Sequence, residues 1–155
     1  MYNISDFIKN IKEQIAFFTN AIAVEQTKLD AAEKNRVSFV EDCMKKEQVM
    51  ILKLRGFDKK RDEIQASLGF KDYTFQQIID ASDEEQAAQL TPLFQELNAQ
   101  VTMFRNTCDS AKAVLELNLH TVNSVLAQMQ QASDNSYSAK GETKKDQKHF
   151  TNRTI

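Results

Sequence analysis

A chain of 155 residues that is 41% hydrophobic and 27% charged has the size and composition of one folded domain. With 3 glycines and 1 proline it lacks the turn residues that sandwiches, barrels and doubly wound sheets need at close intervals, which leaves long helices with few turns. A net charge of −2, from 20 Lys+Arg against 22 Asp+Glu, argues against a dedicated nucleic-acid binder. The two cysteines, Cys43 and Cys108, are too few for a disulfide framework. The run Ile15-Ala16-Phe17-Phe18 is too short for a signal segment, and no stretch approaches the roughly 20 apolar residues of a membrane span. The expected setting is soluble, reducing and cytoplasmic, with no membrane insertion.

The first predicted helix covers about 3–34. Ile4, Ile8, Ile11, Ile15, Phe18, Ile22, Leu29 and Ala32 follow a heptad seam, with Glu25 at the skipped position and Phe7 and Phe17 beside it. A break is expected near Asn35, a tolerable left-handed residue, followed by Ser38 to Glu41 at capping-box spacing. One continuous helix remains the alternative, because the apolar phase is hardly lost. The second helix, 39–68, has the seam Phe39, Cys43, Met50, Leu54, Phe57, Ile64 and Leu68, and Gly69 closes it. Lys46, Glu47 and Arg61 read as solvated or snorkelling. Gly56, inside the helix, either costs about 1 kcal/mol or admits a close neighbour.

Residues 70–90 form a connector with one or two short helices, started by Thr74 to Gln77 and Ser82 to Glu85 at capping-box spacing. Phe70, Phe75, Ile78 and Ile79 are expected to plug the bundle end. The third long helix, 91–131, starts with Thr91 as N-cap and Pro92 in the first turn. Its seam runs Leu90, Phe94, Leu97, Val101, Phe104, Cys108, Ala111, Leu115, Val122, Val125 and Met129, interrupted at Asn118. The fold class is all-α: an antiparallel coiled-coil-like three-helix bundle with short connector helices, forming one domain over 1–131. The polar stretch 132–155 reads as a flexible tail carrying Tyr137, Phe150 and Ile155.

No phosphate loop, HExxH, CxxC or EF-hand pattern occurs. Glu116 and His120 are four apart, whereas a di-iron bundle uses Glu-x-x-His pairs, and no second pair exists. Both cysteines fall on seam positions and read as small core residues. No catalytic residue, metal site or cofactor is expected, and the protein is not read as an enzyme. Two features point to binding instead. The third helix outlasts the other two, which leaves Leu119, Val122, Val125, Leu126 and Met129 without intramolecular cover. Leu117, Leu119 and Leu126 also widen the apolar surface there, as a partner site requires.

Several stretches, in order, resemble the FlgN-type flagellar export chaperones. They are Glu25 to Leu29 near the end of helix one; Lys46, Leu52, Leu54 and Lys60-Arg61 in helix two; Leu68-Gly69-Phe70 at its close; the Leu90–Met129 helix; Tyr137 to Gly141; and Arg153-Thr154-Ile155. Where many members carry paired asparagines in the last helix, this chain has Cys108 and Ala111. The resemblance implies a type III secretion chaperone. It would bind the C-terminal helices of hook-associated (hook–filament junction, FlgK/FlgL-like) proteins through Leu115, Leu119, Val122, Val125, Leu126 and Met129. It would deliver them to the export gate protein through Tyr137. The rival readings are a structural coiled-coil homodimer without cargo and another secretion chaperone with a helical-bundle body.

Overall fold

The computed structural model describes residues 1–138, with side chains through Ala132. Four helices occur among them: α1 (Ile4–Glu33), α2 (Val37–Ser67), α3 (Phe75–Ala81) and α4 (Glu84–Ser138). The fold is all-α, as the composition requires. Gly141, His149, Phe150 and the Arg153–Ile155 terminus lie outside the described residues.

The chain divides into two compact units, Met1–Leu115 and Glu116–Ile155. In the first, α1 and α2 form a hairpin whose turn is set by backbone capping. Asn35 takes φ 55, and the N–H groups of Asn35 and Arg36 donate to Ala32 and Ala31 at 3.2 and 2.8 Å. That is a Schellman closure, which satisfies the last carbonyls of α1 and reverses the chain. The break at Asn35 is therefore real. The start of α2 differs from expectation: Arg36 is the N-cap, without a side-chain cap, and Ser38 lies inside the helix. The closure already fixes the chain at Arg36, so helical geometry begins before a serine cap is reached. The far end of α2 closes in the same way, with Gly69 at φ 83 and Phe70 N–H donating to the Gln65 carbonyl at 2.7 Å.

Pairings along the hairpin fix its direction. Arg61 meets Gln14, Phe57 meets Phe17 and Glu47 meets Lys28, so α2 runs antiparallel to α1. Phe94 meets Phe7 and Phe104 meets Phe18, so α4 runs parallel to α1. The main core joins Phe7, Ile11, Ile15, Phe18, Ile64, Ile78, Leu90, Phe94 and Leu97, from all four helices. Phe70, Phe75 and Ile79 pack against it, and the Phe75 ring stacks on Phe94 at 4.2 Å, so the connector is the plug its apolar residues suggest. A smaller core at the hairpin tip holds Ala31, Ala32 and Val40, with Val114 and Leu115 against it.

Helix α4 corrects the expected start at Thr91-Pro92 and the expected end near residue 131. It begins at Glu84, capped by Asp83, whose Oδ1 accepts from the Gln86 N–H at 2.8 Å. Ser82 instead ends α3. Pro92 sits inside the helix, and its missing N–H leaves the carbonyl of Ala88 without its usual donor. Leu90, Phe94 and Leu97 are all buried, and this packing holds the helix through the proline. At the other end the helix continues through Ser138, so residues 132–138, assigned by composition to the tail, are helical. Extending an existing helix by one residue is far easier than nucleating one, so polar residues can follow an established segment.

Candidate functional site

The second unit, as far as it is described, is the helix from Glu116 to Ser138. Leu119, Val122, Leu126 and Met129 follow steps of 3, 4 and 3, which places them on one stripe, with Val125 at its edge. They are about half exposed or more: 48% at Leu119, 53% at Val122, 49% at Val125, 57% at Leu126 and 64% at Met129. Leu117, at 63%, projects from the opposite side. Leu115, the sixth residue predicted for this stripe, is different. It is half-buried and packs on the hairpin-tip core beside Val114. Of the predicted stripe, then, five residues lie together in the second unit and one is committed to packing in the first. Asn118 is half-buried and engaged in an interaction rather than freely solvated.

Most helical stability in proteins comes from packing an apolar face, so a helix with an exposed apolar stripe has more to gain from a partner than a polar one. A stripe of leucine, valine and methionine about half exposed is suited to receive another amphipathic helix. Tyr137 falls within α4, in a stretch whose side chains are not described.

A second cluster lies within the first unit and was not anticipated. Alongside the seam read from the sequence, α1 carries another at Phe7, Ile11, Gln14, Phe18, Ala21, Glu25, Lys28 and Ala32, again at steps of 4 and 3. Asn10, Gln14 and Glu25 on or beside it are fully buried. The Gln14 amide donates to Asn10 Oδ1 at 2.7 Å and its oxygen accepts from Arg61 at 3.4 Å. Two overlapping seams on one helix mean that it packs against two neighbours. That was the available signal, hidden because the second seam carries polar residues.

Glu25, Lys28, Glu47 and Cys108 bring α1, α2 and α4 together. Lys28 Nζ lies 2.7 Å from Glu47 and 3.6 Å from Glu25. Burial pushes the Glu25 carboxyl above its usual range; Lys28 opposes this and the nearby Glu47 reinforces it. Burial works against the Lys28 ammonium, but its hydrogen bond to Glu47 and the charges of both carboxylates raise its pKa on balance. The Cys108 thiol, part-buried and donating to Glu25, is pushed up to about 12, chiefly by desolvation. Burial also raises Cys43. Both thiols therefore stay protonated at neutral pH and are poor nucleophiles. Glu47 and Arg61, read as solvated, instead have fixed partners: Lys28 for the first, Gln14, Asp58 and the Phe75 ring for the second. Among the described residues no group of three or more His, Cys, Asp or Glu is placed to hold a metal ion. No helix among them is long and apolar enough to cross a membrane.

These features define an all-α helical protein with an exposed apolar stripe on its last helix. Residues 1–145 match the family model described as FlgN protein, and the chain belongs to the FlgN family. The family is one of flagellar export chaperones, not an enzyme family. No curated protein and no solved structure matches the chain.

Proposed function

We propose that this protein binds the C-terminal helical segments of hook-associated (hook–filament junction) proteins in the cytoplasm, keeps them unassembled and delivers them to the flagellar export gate. The observation that carries the reading is the stripe of Leu119, Val122, Val125, Leu126 and Met129, about half exposed or more on a helix. A C-terminal cargo helix would lay its own apolar face along that stripe, burying surface worth roughly 25 cal/mol per Å² of apolar area. Leu115, half-buried against the hairpin-tip core, belongs to the first unit and is left out of the proposed contact. No bond is made or broken: masking the cargo face prevents premature assembly, and dissociation releases it. Tyr137, in the polar segment beyond the stripe, is the residue we assign to docking at the export gate.

Calorimetric titration of the full chain with synthetic C-terminal peptides of hook-associated proteins tests the reading. Saturable binding with a negative heat-capacity change, weakened at least tenfold by Val122→Asp, is the expected result. Unchanged binding in Val122→Asp would move the site elsewhere. No binding at all would leave the stripe as a homodimer seam. Replacing Tyr137 with alanine is expected to preserve peptide binding while reducing pull-down of the export gate protein.

A further inference from the structure

Helix α2 has a second side that the bundle does not use. Between Cys43 and Ile64 it contributes no fully buried residue. Its outward surface nonetheless carries large apolar groups: Val37 at 66% exposure, Met44 at 48%, Ile51 at 50% and Leu52 at 66%. Val37, Glu41, Met44, Gln48, Ile51 and Arg55 are spaced 4, 3, 4, 3 and 4 apart, which is a continuous stripe on the outer face. All six are exposed. Phe39 and Val49 are exposed as well, off this stripe, and no large apolar residue of α2 beyond Leu52 is exposed.

The stripe is self-complementary about Gln48. Four residues to either side stand Met44 and Leu52, both apolar, on one i±4 row through Gln48. Seven residues to either side stand Glu41 and Arg55, of opposite charge. Among the described residues neither Glu41 nor Arg55 has an ion-pair partner. A two-fold axis passing beside Gln48 would run two copies of α2 antiparallel. Met44 would then meet Leu52 of the second copy, Glu41 would meet its Arg55, and the two neutral Gln48 side chains would face each other. Lys59 would fall opposite Val37 and Lys45 opposite Ile51, so no two like charges of this face stand directly opposite each other. Rows at i±4 from both helices interdigitating is a common mode of helix packing, and an isologous two-fold contact is the commonest form of self-association.

We propose that the outer face of α2 is a homodimer interface, antiparallel and centred on Gln48, with Met44, Ile51 and Leu52 at its middle and reciprocal Glu41–Arg55 ion pairs at its rim. One helix crossing buries less than a standard interface, so the dimer is weak and concentration-dependent. It is separate from the stripe on α4 and does not depend on how cargo binds.

Sedimentation equilibrium of the full chain, from about 1 to about 500 µM, is the test. The expected weight-average mass rises from 17.7 kDa toward twice that value. Glu41→Arg and Arg55→Glu, each alone, bring like charges together and should weaken dimerisation about tenfold. The double exchange should restore it to within about threefold, because each ion pair is re-formed with its polarity reversed. Both positions are exposed, so the variants should keep wild-type helicity by circular dichroism. Val122→Asp should leave the dimer intact. A mass that stays at 17.7 kDa over the whole range overturns the proposal. So does a double exchange that fails to restore association, or a dimer that Val122→Asp dissolves.

Discussion

The same 4–3 apolar rhythm runs through two stretches of α4 with opposite outcomes. Between Leu90 and Ala111 it fills the core: Leu90 and Ala111 are fully buried, and Phe94 and Leu97 nearly so. Between Leu119 and Met129 the rhythm continues and every stripe residue stands about half exposed or more. A heptad pattern therefore specifies that a helix face will be covered, but not by what. In the first stretch the cover is supplied by Phe7, Phe18 and Phe75 of the same chain. In the second, the same pattern leaves its stripe exposed.

The sharpest way to break this comparison is to remove one side chain from each stretch and compare stability with binding. Phe94→Ala should cost about 3–5 kcal/mol of unfolding free energy, measured by denaturant titration, because it empties a site that two other phenylalanines line. Lys28→Met comes next, at about 2 kcal/mol, since it leaves Glu25 and Glu47 facing each other without their cation; the part-exposed Glu47 moderates the loss. Gly56→Ala should go the other way and stabilise by about 0.5–1 kcal/mol. Gly56 has no positive φ, and an added Cβ would meet nothing within 4 Å, so it marks no close helix approach. Smallest should be Val122→Asp, within about 0.5 kcal/mol of the parent in stability, even though it is expected to abolish most peptide binding. Should Val122→Asp unfold the protein instead, the two stretches of α4 are both core and the contrast fails.

The buried ionic cluster adds a prediction about pH. The folded state holds the Cys108 proton up to about 12, whereas an unfolded thiol releases it near its ordinary value of 9.0. Between those values the unfolded state binds fewer protons, so stability falls as pH rises. Lys28 acts in the same direction: its raised pKa favours the fold below 10.5, and that support is lost as pH climbs through the folded value. For Glu25 the raised pKa means that ionisation penalises the fold at neutral pH, with relief as pH falls toward 4.5. Melting temperature should therefore decline steeply above about pH 9, and Cys108→Ala should flatten that decline.

Much of this architecture was legible because its signals are local. Asn35 and Gly69 mark the helix ends through the one backbone conformation each favours, and Thr74 to Gln77 forms the reciprocal cap its spacing implies. The exposed stripe was legible from helix length and the 4–3 spacing. What escaped was non-local. Pro92 is a good first-turn residue in isolation, yet burial of Leu90, Phe94 and Leu97 carries the helix back to Asp83. Asn10, Gln14 and Glu25 are polar residues on a face that two neighbours cover; Gln14 is met by Asn10 and Arg61, and Glu25 by Lys28, partners that sequence spacing alone does not reveal. Leu115 looked like the first residue of the exposed stripe because nothing in the sequence says where the hairpin tip will reach.

The parallel run of α1 and α4 has a consequence for the order in which the protein can assemble. Phe7 and Phe18 find their ring partners at Phe94 and Phe104, more than eighty positions later in the chain. The α1–α2 hairpin can close early through contacts that are near in sequence, but its phenylalanine face stays wet until α4 has been made. During synthesis, therefore, this chaperone is for a time a client itself, with an apolar face awaiting a helix that has not yet emerged from the ribosome.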